Sequence, residues 1–386
     1  MNSREKFLAT FEFDLSTPPP KWEMAYWIAA IERWRKEGLL DFEGDDLEEN
    51  RRKGKASVRG RPVVSDPSGN RSYLGLEKPP VTFPGNYWVY PLGERRVLED
   101  LGDRKIIVDD VGVKKEVGLE ASIPRYLEWP VTDRETWESY RAERLNAKTP
   151  GRIPENLDDL IEGYSNRDFC LQFGHRVGFF GPIREFLGEV RLMTCYYDDP
   201  DFIRQIVDDM LEFYMGLYSQ VLQKFVPDVF MMWEDMCYNR GPLISPEMFS
   251  EYMLPAYKKL TAFLRDYGVK NILIDTDGDC WKLIPLFIEG GVTGIWPFEV
   301  AANMDVVEVR KQYPKLPMIG GIDKRALIKG KEAIDEELDR RIPYMLKRGG
   351  FIPYVDHHVP PDISLDNFVY YRERLNALID AHHVVG

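Results

Sequence analysis

The second half of the chain repeats a pattern about every 30 residues, in which a short apolar run is followed by an amphipathic stretch. The five pairs lie at 228–234 and 245–267, 271–275 and 281–289, 293–298 and 304–313, 317–320 and 324–347, and 351–355 and 364–380. About 30 residues is the length of one βα unit. Successive βα units build a parallel sheet covered by helices. Because the chain has many such units and no Gly-rich nucleotide loop, we predict a closed α/β fold, a (β/α)8 TIM barrel.

Capping residues mark where several of these helices begin and end. Asp199-Pro200 and Ser245-Pro246 place a capping oxygen before a proline at the first helical position. Gly290-Gly291 and Gly349-Gly350 are typical of helix ends that turn into the next strand. Pro343 is expected to kink or split the long helix at 324–347.

The first hundred residues do not follow the βα pattern. They are rich in Pro, Gly and charge, with a predicted helix at 21–38 and a long irregular loop at 41–75 that contains the basic run from Arg51 to Lys55. We predict an amino-terminal extension over 1–100 that caps or plugs the barrel of 101–386, within one structural domain overall. The length of 386 residues allows this, because α/β barrels often exceed about 250 residues as one domain.

Charge and cysteine spacing exclude several classes of protein. The chain has 51 Lys and Arg and 64 Asp and Glu, a net charge of −13, which argues against nucleic-acid and anionic membrane partners. Its four cysteines lie far apart, which argues against a disulfide framework or a zinc finger. The amino terminus lacks the apolar stretch of a signal peptide, and no apolar run approaches the ~20 residues that cross a bilayer. We therefore expect a soluble, cytoplasmic protein.

Carboxylates and imidazoles follow the predicted strands at the carboxyl edge of the barrel, where barrel enzymes keep their functional groups. They are Glu234, Asp235, Asp275, Asp277, Asp279, Glu299, Asp323, Asp356, His357 and His358. Crowded carboxylates repel unless a cation lies among them, and a divalent metal such as zinc accepts Asp, Glu and His ligands. The alternative is that these acids are solvated or paired with Lys324 and Arg325.

Aromatic residues near the predicted loop ends suggest a second feature of the site. Tyr26, Trp27, Trp233 and Trp296, together with Trp22, could line an apolar substrate pocket. The alternative is that they belong to the hydrophobic core, as most aromatic side chains do.

Five stretches carry more specific motifs: GFFGPIREFLG at 178–188, GPLISPEMFSEYMLPAYKKL at 241–260, DTDGD at 275–279, GGIDKRALIKG at 320–330 and DHHVPPDISLDN at 356–367. Together they resemble the uroporphyrinogen decarboxylase superfamily. The resemblance implies a (β/α)8 barrel, in agreement with the βα pattern. It also implies either decarboxylation of a tetrapyrrole or metal-dependent methyl transfer that works with a corrinoid protein.

The departures from the family pattern favour methyl transfer. The RQAGR-like arginine motif of the decarboxylases is missing from the amino-terminal region, and an acidic mouth would repel polycarboxylate substrates. Asp275 and Asp277 occupy the positions of the H-x-C zinc ligands of the thiol-methylating relatives, and His357 falls at the later ligand position. This oxygen-rich set suits zinc or another divalent ion. Asp356 and His358 half-match a corrinoid-binding loop, but Pro361 replaces its glycine, so the corrinoid is expected on a separate protein.

The resulting hypothesis is a methyltransferase that demethylates an O-methylated small molecule, in preference to an N-methylated one, onto a corrinoid protein. Glu234, Asp277 and His357 would hold the metal, with Asp275 as fourth ligand or hydrogen-bonding partner. His358 or Asp235 would act as general acid to the departing oxygen. Two alternatives remain: a decarboxylase or lyase acting on a tetrapyrrole or other carboxylated substrate, and a non-catalytic protein that binds a corrinoid partner.

Overall fold

Parallel strands that curl around a shared interior form the centre of the computed structural model. The structure describes residues 1–39, 63–64, 74–118 and 124–384. The loop predicted at 41–75, with its basic run, falls outside the described residues except for 63–64 and 74–75. The strands are β1 (Tyr26–Trp27), β2 (Val63–Val64), β3 (Val81–Thr82), β4 (Arg96–Asp100), β5 (Arg104–Val108), β6 (Lys114–Gly118), β7 (Arg125–Glu128), β8 (Leu171–Val177), β9 (Val229–Trp233), β10 (Cys237–Tyr238), β11 (Gly241–Pro242), β12 (Ile272–Asp275), β13 (Gly294–Phe298), β14 (Met318–Gly320) and β15 (Phe351–Ile352).

Helices flank this sheet and connect its strands. They are α1 (Ser3–Phe11), α2 (Ile28–Lys36), α3 (Arg134–Arg144), α4 (Leu157–Gly163), α5 (Gly181–Leu187), α6 (Glu189–Asp198), α7 (Pro200–Leu222), α8 (Pro246–Met248), α9 (Leu254–Asp266), α10 (Ile284–Glu289), α11 (Val306–Gln312), α12 (Lys324–Lys329), α13 (Lys331–Leu346) and α14 (Leu365–Val384). A π-helical turn at Phe249–Met253 joins α8 to α9, and a short 3₁₀ turn spans Val300–Ala302. Within the described residues, none of the helices combines the length and the apolar character needed to cross a membrane.

The main sheet has the order β15-β14-β13-β12-β9-β8-β3, and its pairs are all parallel. Beyond β15, Val359 forms a parallel bridge with Tyr26, which brings the segment before α2 to this edge of the sheet. The curled sheet with its flanking helices is TIM-barrel-like, so the predicted fold class is confirmed.

Each predicted βα pair corresponds to a strand and the helix or helices that follow it. The N-cap predictions at Asp199 and Ser245 are also confirmed, because Asp199 accepts from the N–H of Phe202 and Ser245 from that of Met248. Pro343 does not split the helix, and the alternative prediction of a kink there stays a prediction. The helix divides at Gly330, whose φ of +110° is a left-handed conformation that favours glycine, while Pro343 lies inside α13.

The amino-terminal helix α1 packs under the barrel at the amino ends of its strands. Phe7 and Phe11 join a buried cluster with Val229 and Ile352, which belong to two of the barrel strands. Arg4 of this helix lies 2.7 Å from Asp228, the residue before β9. The first residues of the chain are thus part of the barrel core.

Two other features of the first part of the chain differ from the sequence-based expectations. The helix predicted at 21–38 forms only at Ile28–Lys36, because the chain before it runs extended along the barrel into β1. Strands β4 to β7 form a four-stranded antiparallel sheet. Residue 100 ends β4, so a domain boundary there would cut this sheet, and β3 already belongs to the barrel.

Candidate active site

The carboxyl ends of the barrel strands place Trp233, Asp275 and Trp296 in one layer. Asp275 ends β12 and is paired in register with Trp233 on β9 and with Trp296 on β13. Residues paired across neighbouring strands face the same side of a sheet. Leu273, two residues before Asp275, lines the interior, so this layer also faces inward. Asp275 is 8% exposed and lies between two indole-bearing strands.

Glu234, the first predicted metal ligand, is an internal anchor. Its carboxylate accepts hydrogen bonds from the backbone N–H groups of Phe179 (2.8 Å), Phe180 (2.6 Å) and Gly181 (3.1 Å) and from the Tyr257 hydroxyl (2.6 Å). Complete burial outweighs these four donors and raises the pKa of Glu234 to about 6. The carboxylate ties the loop after β8 to β9 and to α9.

The backbone approaches this anchor at Gly178 and Gly181. A Cβ atom at Gly178 would lie 2.4 Å from the Trp233 carbonyl oxygen, and one at Gly181 would lie 2.6 Å from the Glu234 carbonyl oxygen. Glycine is therefore required at both positions of the GFFG motif for the loop to reach the carboxylate.

Asp235, predicted as a general acid, is held by Arg184 from α5. Arg184 donates to the Asp235 carbonyl oxygen at 2.9 Å and to its carboxylate at 3.2 Å. Asp235 has a φ of +46°, in the left-handed region. The guanidinium of Arg184 also lies 6.0 Å from the ring of Trp233, and that of Arg176 lies 4.8 Å from the same ring.

Asp277 and His357 form the pair that the sequence places in the same site. The Nε2 atom of His357 lies 3.4 Å from an Oδ atom of Asp277, and both side chains are about one third exposed, at 28% and 32%. Burial alone would lower the pKa of His357, but the hydrogen bond and charge of Asp277 outweigh it and raise this pKa. Burial would raise the pKa of Asp277, whereas His357 lowers it. The His358 ring lies 4.4 Å from the His357 ring.

Cations accompany the other acids at the mouth. Asp356 lies 3.3 Å from Lys324, and Asp323 lies 2.8 Å from Arg325, as the alternative to a metal site predicted. Asp356 is fully buried and also accepts from the backbone N–H of Val300. Asp323 and Asp356 are thus compensated by cations within the protein, which weakens the expected repulsion of anionic substrates at the mouth.

The predicted metal set does not form a ready-made centre. In the part of the chain that the structure describes, no three His, Cys, Asp or Glu side chains gather so that they could hold a metal ion. Metal binding at Glu234 would have to displace its four hydrogen bonds. Of the four predicted ligands, Asp277 and His357 are in direct contact, while Asp275 lies in the Trp233–Trp296 layer. The metal and its ligands stay a prediction, and the chemistry that this geometry supports directly is proton transfer by the His357–Asp277 pair.

A cavity of about 430 Å³ lies inside the barrel below the mouth. Its walls are mostly apolar and come from the barrel strands and from the amino-terminal segment; they include Phe7, Trp22, Met24, Met231, Leu273, Trp296, Ile319 and Tyr354. Two of the predicted aromatic residues, Trp22 and Trp296, therefore face an interior space.

The other two amino-terminal aromatics lie elsewhere. Tyr26 is 1% exposed and packs edge-on against Trp34 and Phe368, at ring distances of 5.7 and 5.6 Å, in the core between the barrel edge and the helices. Trp27 donates its backbone N–H to Val359 and pairs with Val63. Neither lines the cavity, and their substrate-binding role stays a prediction.

Four residues of the site did not emerge from sequence reasoning: Arg176, Arg184, Tyr257 and Tyr354. Tyr354 had a usable signal, because it precedes Asp356 by two residues on a predicted strand and so faces the same side. Arg184 and Tyr257 lie on helices within the GFFGPIREFLG and GPLISPEMFSEYMLPAYKKL motifs, but nothing in the sequence indicates which acid each one contacts.

An inward-facing aromatic layer, a histidine–carboxylate pair at the mouth and an interior cavity define a TIM-barrel-like protein with a site at the carboxyl ends of its strands. The sequence comparison is consistent with this class. Residues 188–377 match the family model of uroporphyrinogen decarboxylase (URO-D), so this part of the chain is similar to the uroporphyrinogen decarboxylase superfamily.

Solved structures give a likeness of fold. A methyltransferase from Methanosarcina mazei matches with a TM-score of 0.59 and 15% identity, over 99% of this chain and 99% of that chain. A candidate vitamin-B12-independent methionine synthase from Listeria monocytogenes matches over 96% and 97% of the two chains, with a TM-score of 0.33 and 9% identity, too low to indicate a shared fold. No curated protein matches this chain.

Proposed function

We propose that this protein is a methyltransferase that removes the methyl group of an O-methylated small molecule and delivers it to a corrinoid on a separate protein. The observation that carries the proposal is the His357–Asp277 pair, a proton donor held at the mouth of a barrel whose interior is lined by aromatic side chains. The fold match to the Methanosarcina mazei methyltransferase is consistent with this choice within the superfamily.

The reaction needs one proton and one nucleophile. The methyl group leaves its oxygen without the C–O bonding electrons, which stay on the oxygen, and that oxygen then takes up one proton. The reduced corrinoid of the partner protein would supply the electron pair that forms the new bond to the methyl carbon. His357 in its protonated form would supply the proton, and Asp277 would stabilise the imidazolium before the transfer.

This assignment differs from the general acids expected from the sequence. Asp235 is already bound by Arg184 at both its carbonyl oxygen and its carboxylate. His358 lies beside His357, but the contact with Asp277 is made by His357. We therefore place proton donation on His357, with Asp277 as its positioning residue.

The test is demethylation by the purified protein under anaerobic conditions. A panel of aryl methyl ethers is mixed with chemically reduced cobalamin as the acceptor, and the demethylated phenol is quantified by chromatography. We expect product with wild type and a loss of about 10²- to 10⁴-fold in rate for His357→Gln. Glu308→Gln, on the exposed side of α11, is the matched control and keeps the wild-type rate. A His357→Gln variant as active as wild type would contradict the assigned role.

Decarboxylation is the second candidate, favoured by the match to the uroporphyrinogen decarboxylase family model itself. With Asp323 and Asp356 paired to cations, the same His357 could donate a proton to the carbon that loses its carboxylate. Release of carbon dioxide from uroporphyrinogen by the purified protein, abolished in His357→Gln, would establish this activity in place of methyl transfer. If the protein forms neither the phenol nor carbon dioxide but binds a corrinoid protein stably, the result would favour a non-catalytic binding protein.

A further inference from the structure

We propose that the interior cavity binds the ring of an uncharged aromatic ether or phenol, with the ligand oxygen at Trp296 and Tyr354. This inference rests on the proposed function, for which it names the substrate class and the place where the substrate lies.

The cavity is unusual for a barrel interior, which layers of side chains normally fill. In the layer below Asp275, Met231 and Leu273 are paired in register with Gly174 and Gly294 on the two flanking strands. Two of these four positions therefore have no side chain, and the interior is less filled at this level.

The size of the space limits its occupant. A cavity of about 150 Å³ holds benzene, and small-molecule sites span about 300–1,000 Å³. The observed 430 Å³ suits one ring with several substituents.

The two charged side chains of the cavity wall already have partners, Glu23 in an ion pair and Lys78 in a cation–π contact. Glu23 lies 3.3 Å from Arg372, with both side chains 1% exposed, and accepts from the backbone N–H groups of Met24 and Val355. Lys78 lies over the Phe169 ring at 3.4 Å. Because a further unpaired charge would be desolvated without a partner, the cavity favours a neutral ligand.

Two polar groups occupy the upper part of this apolar space. The indole N–H of Trp296 is buried beside the Tyr354 side chain and makes no hydrogen bond of ordinary geometry. Tyr354 is 5% exposed, and its ring lines the same cavity. A buried donor whose contact with its neighbour falls short of ordinary hydrogen-bond geometry is incompletely satisfied, and a ligand oxygen at this point would complete its hydrogen bonding.

The location of these two residues connects the cavity to the proposed reaction. Trp296 lies in the same layer as Asp275 and Trp233, and Asp275 precedes Asp277 of the His357–Asp277 pair by two residues. An ether oxygen bound at Trp296 would therefore lie at the carboxyl ends of the strands, the end of the barrel that carries the His357–Asp277 pair. The apolar ring would fill the space below, against Met231 and Leu273.

Binding is measured by calorimetry with 2-methoxyphenol and with ethylbenzene, which has no oxygen, in the absence of any corrinoid. We expect both to bind wild type, and Ile319→Trp, which fills the cavity, to abolish binding of both. Trp296→Phe and Tyr354→Phe keep the aromatic wall. They are expected to lower the affinity for 2-methoxyphenol by about 3- to 10-fold and to leave the affinity for ethylbenzene unchanged. Ile328→Trp, at a residue 45% exposed on α12, is the control for the added indole.

Two results would overturn the inference: no binding of either compound to wild type, or binding that Ile319→Trp leaves intact. Should Ile319→Trp fail to fold, equal affinities of 2-methoxyphenol for wild type, Trp296→Phe and Tyr354→Phe would overturn it as well. Because this readout requires no turnover, binding without demethylation would contradict the proposed function alone. Demethylation with no binding in the cavity would contradict this inference alone.

Discussion

The hydroxyl of Tyr257 donates a 2.6 Å hydrogen bond to the carboxylate of Glu234, and this contact joins helix α9 to the end of strand β9 inside the protein. Neither residue is exposed to solvent. Backbone N–H groups from the loop after β8 fill the remaining acceptor positions of the same carboxylate. A strand-end acid in this arrangement holds three elements together, and that role explains its burial without a metal.

Tyr257→Phe is expected to lower the free energy of unfolding by about 1–3 kcal/mol, because it removes one donor from a buried carboxylate and keeps the ring packing. The measurement is urea denaturation of both proteins. Tyr238→Phe, at a residue 69% exposed on the β10–β11 hairpin, controls for loss of a hydroxyl and should change stability by less than about 0.5 kcal/mol. Equal effects of the two substitutions would show that the contact contributes nothing.

The pH dependence of stability gives a separate test of the same anchor. The pKa of Glu234 is about 6 in the folded protein against an ordinary value of 4.5, so the folded state binds more protons between these values. The contribution of Glu234 to stability therefore falls as pH rises from about 4.5 to 6, by about 2 kcal/mol in total, and is constant above.

Glu234→Gln removes this titration. The difference in unfolding free energy between wild type and variant, measured by urea denaturation from pH 4.5 to 7, should follow that slope. A difference that is independent of pH would contradict the raised pKa.

The His357–Asp277 pair predicts the pH dependence of catalysis. His357 must be protonated to donate, and Asp277 raises its pKa, so the methyl-transfer rate should fall as pH rises through a value above 6.5. Asp277→Asn removes the charge and leaves burial, which lowers the pKa of His357, so the fall should move to lower pH. The pH profile of kcat/KM and NMR titration of the imidazole check this. If the pH profile of Asp277→Asn is the same as that of wild type, Asp277 does not set the pKa of the catalytic His357.

Much of the fold could be predicted because its elements leave local patterns. The apolar run at 271–275 became β12, and the amphipathic stretch at 364–380 became most of α14. The amino-terminal part was predicted less well. The helix expected at 21–38 is confined to Ile28–Lys36, since the preceding residues pair with the barrel edge at Val359, more than 300 residues away in the chain.

The sequence predicted which side chains lie near one another in the site, but not the role of each. Strand ends of one barrel meet, so Asp277 and His357 could be placed together from the sequence, and the structure joins them. The role of each acid depends on partners from other elements. Arg184 on α5 and Tyr257 on α9 determine how Asp235 and Glu234 are used, and no local pattern encodes those contacts.

Zinc at the mouth would need the neutral imidazole of His357 and is therefore an alternative to its role as proton donor. Zinc affinity should distinguish the predicted ligands from the Glu234 anchor. We expect zinc binding to the purified protein, measured by calorimetry with the metal alone, to fall at least about 10-fold in His357→Gln and Asp277→Asn, because their side chains meet at the mouth. Glu234→Gln should leave the zinc affinity unchanged, since its carboxylate is occupied by four donors. Loss of zinc binding in Glu234→Gln alone would restore Glu234 as a ligand and require the loop at 179–181 to rearrange.

The contribution of the amino-terminal helix to the barrel can be measured at Phe7. This residue is 1% exposed, and its ring centroid lies 4.4 Å from that of Phe11 and 5.6 Å from that of Trp22 at the base of the cavity. Phe7→Ala should lower the free energy of unfolding by about 3–5 kcal/mol, through lost burial and a larger void. Because α1 shares its core with the barrel strands, the whole transition should shift as one in thermal denaturation. Leu15→Ala, at a residue 50% exposed, is the control and should leave the midpoint of the thermal transition unchanged. A second, separate transition in Phe7→Ala would instead show that the amino-terminal segment unfolds independently of the barrel.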